Sequence, residues 1–188
     1  MFSKAAPSPA RRRKGADKME AVKIVIEDTP EKFRPMAEVL VPPLVELLRQ
    51  RNELEREICA RSLKLREEQA AAGISPHLST PAEESLWEEY RRRYLELVTP
   101  RCTEKLLRWG AAGSFGRPAK YDYLFEAPEP AVYFTMKSAK KALMSTRNPV
   151  SHDYRYRFTL RLFGDEWKID GAECAFGGRE EWSVEHTV

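Results

Sequence analysis

The chain has little that would cross-link it or carry it through a membrane. Its 188 residues include only three cysteines, Cys59, Cys102 and Cys174. They are odd in number and far apart, which argues against a disulfide framework and against zinc and fits a reducing cytoplasm. No apolar run approaches the roughly 18–20 residues of a membrane span. The N-terminus lacks the apolar stretch of a secretory signal. Histidine is scarce as well: His77 and His152 fall in expected loops, and His186 lies near the end. No local Ser/His/Asp, Cys/His or metal-ligand spacing appears, so neither a metal nor a cofactor is implied. No internal repeat is visible.

Excess charge is also missing from most of the chain. The formal net charge is +3, but Lys4, Arg11, Arg12, Arg13, Lys14 and Lys18 meet only Asp17 within residues 1–18. The remainder is slightly acidic, and composition gives no argument for nucleic acid. Residues 1–20, rich in Ala, Pro, Ser and Arg, read as a disordered basic extension that cannot bury enough surface to fold. A transit peptide, a nuclear signal or a nucleic-acid-binding arm would share that composition. Residues 21–188 read as a single domain.

What is present is a helical half followed by a strand half. Thr29-Pro30-Glu31 has the form of a helix N-cap with proline in the first position. Pro42-Pro43 is expected to interrupt that segment. A long amphipathic helix then runs from about Pro43 to Ala72, with the stripe Leu44, Leu47, Leu48, Leu54, Ile58 and Leu65, and stops at Gly73. Its polar face carries Glu57 and Arg61 at i,i+4. Thr80-Pro81-Ala82-Glu83 is a capping box, opening a helix with Leu86, Tyr90, Tyr94 and Leu97. Thr99-Pro100 restarts a short helix that ends at Gly110.

From Lys120 the period changes to two. Tyr121, Tyr123 and Phe125 form one alternating set, Val132, Phe134 and Met136 a second, and Ala142, Met144 and Thr146 a third. After Asn148-Pro149 comes the clearest signal in the chain. Tyr154, Tyr156, Phe158, Leu160 and Leu162 alternate with Arg155, Arg157, Thr159 and Arg161. Gly164-Asp165 then supplies a type II′ hairpin loop. The implied register sets Phe163 opposite Glu166, Leu162 opposite Trp167, Leu160 opposite Ile169 and Phe158 opposite Gly171. At Gly171 the phase breaks, so that Cys174 and Phe176 become the inward residues, which marks a β-bulge and a strongly bent sheet. A last segment after Gly177-Gly178 holds Trp182, Val184, His186 and Val188. Helices first and strands afterwards predict an α+β domain with helices on one face of an antiparallel sheet.

The run Tyr156-Arg157-Phe158-Thr159-Leu160-Arg161-Leu162-Phe163-Gly164-Asp165-Glu166-Trp167-Lys168-Ile169-Asp170 resembles the strand pair of NTF2-like domains. In detail the chain is similar to the NTF2-fold immunity proteins of bacterial polymorphic toxin systems. The similarity extends to Tyr121-Asp122-Tyr123, to Met136-Lys137-Ser138, and to Val41-Pro42-Pro43-Leu44-Val45 through Arg49-Gln50-Arg51-Asn52. It covers most of residues 40–185. The resemblance implies a cone, a bent sheet wrapped around helices with a pocket often at its open end. It also implies a cytoplasmic binder that neutralises the C-terminal domain of a cognate toxin, without catalysis, cofactor, nucleic acid or membrane.

The alternative is an NTF2-like small-molecule enzyme or ligand-binding domain, which needs an Asp or His inside the cone. Asp170 has the opposite phase to Trp167 and Ile169 and is expected to face outward. Asp122 has the opposite phase to Tyr121 and Tyr123. His186 shares its phase with Trp182 and Val184 and is expected to face inward. A third reading is an interaction module that forms a homodimer through its sheet. Candidate partner contacts are the stripe Arg155, Arg157 and Arg161, whose guanidinium groups can pair with carboxylates, and the basic edge Lys137, Lys140 and Lys141. An acidic helix face of Glu83, Glu84, Glu88 and Glu89 is the remaining candidate, with Glu84 and Glu88 foremost.

Overall fold

Alternation carries the second half of the chain into a sheet. The computed structural model describes residues 22–75, 77–108, 114–147, 155–176 and 181–188. The expected basic extension, Gly110, the Asn148-Pro149 turn, His152 and Gly177-Gly178 lie outside these residues. Strands β2 (Ala131–Ser138), β3 (Lys141–Arg147), β4 (Arg155–Phe163) and β5 (Glu166–Ala175) form an antiparallel meander, continued by β6 (Ser183–Glu185). At the other edge β1 (Lys23–Ile26) runs parallel to β2. The sheet is therefore open and mixed, six strands in the order β1 to β6, rather than wholly antiparallel. A four-residue strand pairing in parallel with one a hundred residues later leaves no turn signal beside it.

Between β1 and β2 the chain forms α1 (Met36–Ala71), α2 (Pro81–Val98), α3 (Glu104–Leu107) and α4 (Asp122–Phe125). Helix α1 runs straight through Pro42-Pro43, where a break was expected. Both prolines are exposed, while Leu40, Val41, Leu44, Val45, Leu47 and Leu48 are buried. Packing of that stripe outweighs the hydrogen bonds that proline cannot make. Thr29 is not a cap. Its Oγ1 donates to the Glu27 carbonyl (2.7 Å) and accepts from the Met136 N–H (3.0 Å), tying the end of β1 to β2.

The capping box of α2 forms as its sequence demands. Thr80 Oγ1 accepts from the Glu83 N–H, and Glu83 Oε2 accepts from the Thr80 N–H. The buried stripe of α2 is Leu86, Tyr90, Tyr94 and Val98, a strict i,i+4 series that ends one residue past Leu97. Outside, Arg61 and Arg93 bridge Glu57 and Glu89 and clamp α2 to α1. The expected short helix after Thr99 shrinks to α3, preceded by Thr103.

Tyr121, Tyr123 and Phe125 do not form a strand; they belong to the turn of α4. A contact remote in sequence decides this. Asp122 Oδ1 accepts from Asn52 Nδ2 (2.6 Å) and Arg56 Nε (2.8 Å) of α1, and its Oδ2 accepts from the Ala119 N–H (2.8 Å). The Asn52 side-chain oxygen in turn accepts from the Tyr121 N–H. Asp122 is buried together with Tyr121 rather than turned away from it.

The β4–β5 hairpin pairs Phe163 with Glu166, Leu162 with Trp167 and Leu160 with Ile169, as expected. Gly164 has a positive φ of 60°, as the first position of a type II′ turn requires. The bulge falls one residue earlier than the phase break suggested. Thr159 faces Gly171 and Phe158 faces Ala172, so Asp170 is the extra residue. Inward from the sheet point Phe134, Met136, Ala142, Met144, Phe158, Leu160, Ile169 and Cys174, in one core with Leu44, Leu47, Ile58, Tyr90 and Tyr94. Phe176 and Val184 are exposed, and Val188 is buried instead.

Candidate functional site

The other side of the sheet carries the odd residues of β4. Register places Leu143 of β3, Thr159 of β4 and Gly171 of β5 in one row across the strands. Arg157 and Arg161 stand on either side of that row, about 13 Å apart along the strand. The result is a trough with a low floor and charged walls. A side chain at Gly171 would have Thr159 as its nearest neighbour, at 3.9 Å, so the glycine keeps the floor low. Lys105 and Leu106 of α3, with Val184 and His186 near β6, close one end, and the groove encloses about 480 Å3. That volume is in the range of ligand sites, roughly 300–1,000 Å3.

The bulge organises the groove. The segment before α3 is bonded to the edge of β5, with the Thr103 N–H donating to the Ile169 carbonyl (2.9 Å) and the Ile169 N–H to the Arg101 carbonyl (2.8 Å). Asp170, displaced by the bulge, accepts from Thr103 Oγ1 (3.1 Å) and pairs with Arg161 Nε (3.1 Å) and Lys105 Nζ (3.5 Å). It is therefore buried beneath these groups rather than facing open solvent. A period-2 reading cannot see this, because a bulge changes which side a residue takes. Arg157 Nε pairs with Glu173 Oε2 at 2.9 Å, and its guanidinium lies 4.2 Å from the centre of the Trp182 ring.

Arg155, Arg157 and Arg161 thus lie on the side expected of them, but they divide. Arg157 and Arg161 wall the groove; Arg155 packs its guanidinium against Trp182 at 5.4 Å. Lys140 and Lys141 are exposed at the β2–β3 turn, and Lys137 there is ion-paired with Asp28. Glu84 and Glu88 are exposed on α2, in a shallow depression with Trp87 and Arg91. Their neighbours in the expected acidic patch have structural work: Glu83 caps α2 and Glu89 joins the α1–α2 clamp. The acidic residues sit on the helical layer, and the basic ones on the sheet. His186 is exposed and lines the groove instead of facing inward.

Between helices and sheet lies a second polar assembly, which sequence reading missed. Arg51 and Glu55 of α1 are both buried and paired at 3.1 Å. Glu55 also accepts from the Lys120 N–H (2.7 Å) and the Tyr90 hydroxyl (3.4 Å). The Lys120 ammonium donates to the Thr187 carbonyl (3.0 Å) and pairs with Glu185 (3.5 Å). Burial, and then the charge of Arg51, push its pKa down to about 8. Burial likewise pushes Tyr94 up to about 12 and raises Tyr121 well above the usual range. Arg51 Nε and Nη1 and the Tyr121 hydroxyl have no hydrogen-bond partner among the described residues. The signal was available: Arg51 and Glu55 occupy positions in phase with Leu44, Leu47, Leu48, Leu54 and Ile58.

Chemically, the groove offers guanidinium and ammonium donors beside carboxylates that already hold partners, an arrangement suited to recognising carboxylates. Among the described residues no group of three or more His, Cys, Asp or Glu is placed to hold a metal ion, and no helix is long and apolar enough to cross a membrane. No protein-family model, curated protein or solved structure matches the chain.

Proposed function

We propose that this chain is an NTF2-like immunity protein, a cytoplasmic binder that neutralises the C-terminal domain of a cognate bacterial toxin, with its sheet bent as a cone about the helices. The observation that carries this reading is the contrast between the sheet's two sides. The helix-facing side, where an enzyme of that superfamily would hold substrate, is filled by Tyr90, Tyr94, Tyr121, Phe134 and Phe158, each all but inaccessible. The opposite side presents a charged groove with arginine walls, the residue type enriched where protein interfaces carry most of their energy. The Met136-Lys137-Ser138 and Gly164 to Asp170 resemblances support the family; the Tyr121-Asp122-Tyr123 resemblance, to a strand, does not, since these residues lie in and before α4.

Co-expression with the C-terminal domain of the cognate toxin tests the proposal. Growth should be rescued, and the two proteins should co-elute as a stable complex. Failure of both, with a small molecule recovered from between helices and sheet, overturns it. One observation favours that second reading of a ligand-binding domain or enzyme: the buried Arg51 and Tyr121 atoms that have no hydrogen-bond partner among the described residues would suit a small polar ligand. Dimerisation through the sheet is a third arrangement, and it would compete with the toxin for the groove.

A further inference from the structure

Backbone register sets cations opposite cations on the groove side of the sheet. Lys141 of β3 faces Arg161 of β4, and Arg161 faces Lys168 of β5. At the far end of the same strands Arg147 faces Arg155. Residues directly opposite on one face have Cβ atoms about 4.5–5.5 Å apart, and like charges there are destabilising. The strands cannot relieve this by slipping, because a one-residue shift would carry Phe158 and Leu160 out of the core. Some of the charge is answered locally: Arg161 through Nε by Asp170 (3.1 Å), Lys168 by Glu166 (3.5 Å), Arg147 by Glu27 (3.4 Å). Asp170 is shared with Lys105. Lys141 is different. Its exposed ammonium has no ion pair or hydrogen bond among the described residues, and Lys140 beside it has none either. The row of like charges borders the Leu143–Thr159–Gly171 floor of the groove.

We propose that the Lys141–Arg161–Lys168 row anchors an acidic segment of the partner protein, whose carboxylates supply the counter-charge that the fold leaves out. This rests on the binder reading above and names the chemistry of its partner. Charge complementarity selects the occupant. Asp170 and Glu166 stand beside the row, and Glu173 holds Arg157 farther along β4. A continuous polyphosphate laid along the row would meet these carboxylates, whereas discrete side-chain carboxylates can fall between them. Two of the aromatic rings on this side are covered, Trp182 by Arg157 at 4.2 Å and Tyr133 by Arg147 at 4.1 Å; Phe163, exposed beyond Arg161, is a single ring rather than the succession of platforms on which bases stack. The segment lies across the strands, aliphatic parts on Leu143 and Thr159, carboxylates on Lys141 and Arg161.

The test exploits the opposition between folding and binding. Lys141→Glu places an acid beside Arg161, so Tm should rise while affinity for the cognate toxin's C-terminal domain falls by about tenfold or more, with a weaker dependence on salt. Lys168→Gln, which removes the cation without setting an acid beside Glu166, should act in the same directions. Thermal unfolding and calorimetric titration of both variants read the two effects. Wild-type affinity in both variants overturns the inference while leaving the functional reading intact. A fall in Tm in both overturns it as well, since the row would then not be a site of repulsion. If the wild-type chain forms no complex with the toxin domain, the functional reading fails and the inference with it. Retention of a duplex oligonucleotide by the wild type, lost in Lys141→Glu, overturns the assignment to an acidic protein.

Discussion

Tyr156, Phe158 and Leu160 point from β4 into the core, and Arg157, Thr159 and Arg161 point from the same strand to the other side. The inner set is held by shape: Phe158 is completely buried among Tyr121, Met144 and the α1 stripe. The outer set is held by charge, each arginine bridged to one carboxylate and part of each left to solvent. One strand therefore contains two kinds of interaction with different sensitivities. Burial is insensitive to salt and pH and costly to disturb. Exposed ion pairs are weak, screened and replaceable. A surface that must exchange water for a partner belongs to the second kind.

The comparison breaks most visibly in the core. Phe158→Ala should cost about 3–5 kcal/mol, whereas Arg157→Ala, one residue away, should cost about 1 kcal/mol or less; urea unfolding of the two variants makes the test. Equal losses would mean that the two sides are not distinct. The buried pair behaves like the core despite its charges. Glu55→Leu strands Arg51 and the Lys120 N–H, and should cost about 3–5 kcal/mol. Arg51→Met combined with Glu55→Leu should be milder than Glu55→Leu alone, because no buried charge is left behind.

Lys120 supplies the pH test. Its value of about 8 in the folded chain lies below the 10.5 of an unfolded lysine, so the unfolded chain holds the proton more tightly between those values. Its contribution is least favourable below pH 8 and improves as pH rises toward 10.5. Measured against Lys120→Met, the wild type should gain as much as roughly 3 kcal/mol across that range. The comparison with the variant matters, because raised tyrosine and cysteine values oppose the trend.

The α1–α2 clamp gives a smaller effect of the same sign, at acid rather than alkaline pH. Hydrogen bonds from Arg61 and Arg93 hold the Glu89 carboxyl at about 2, below its ordinary 4.5. Its stabilisation is complete above 4.5 and lost as pH falls toward 2. Glu89→Gln should remove about 1 kcal/mol or less near neutral pH and flatten the acid limb of the stability curve. Smallest is the gain from Lys141→Glu, about 0.2–1 kcal/mol of stability. Its sign, rather than its size, separates a row of repulsion from an ordinary solvated face.

Legibility differed in the same way. The hairpin was readable to the residue as far as Leu160–Ile169, because turn chemistry and alternation are local. Asp170 was not, since whether Asp170 or Gly171 is the extra residue depends on the partner strand. The arginine stripe was assigned to the correct side, but its pairing with Glu173 and Asp170 needs strands that approach only in the fold. Lys141 was legible only as part of a basic edge with Lys137 and Lys140, and Lys168 not at all, because like-charge opposition is a property of register across three strands. Tyr121 to Phe125 looked like a strand until Asn52 and Arg56, some seventy residues earlier, supplied the partners for Asp122.

Sequence alone determined helix α2 with its capping box, strands β2 to β5, the hairpin turn and the side of the sheet on which each β4 residue lies, all of which depend on neighbours within a few positions. Only the tertiary structure decided that β1 joins in parallel, that α1 continues through two prolines, that Arg51, Glu55 and Lys120 meet inside, and that Lys141, Arg161 and Lys168 stand in one row. Each of these is settled by packing or charge between segments far apart in the chain, where the free energy of contact outweighs local preference.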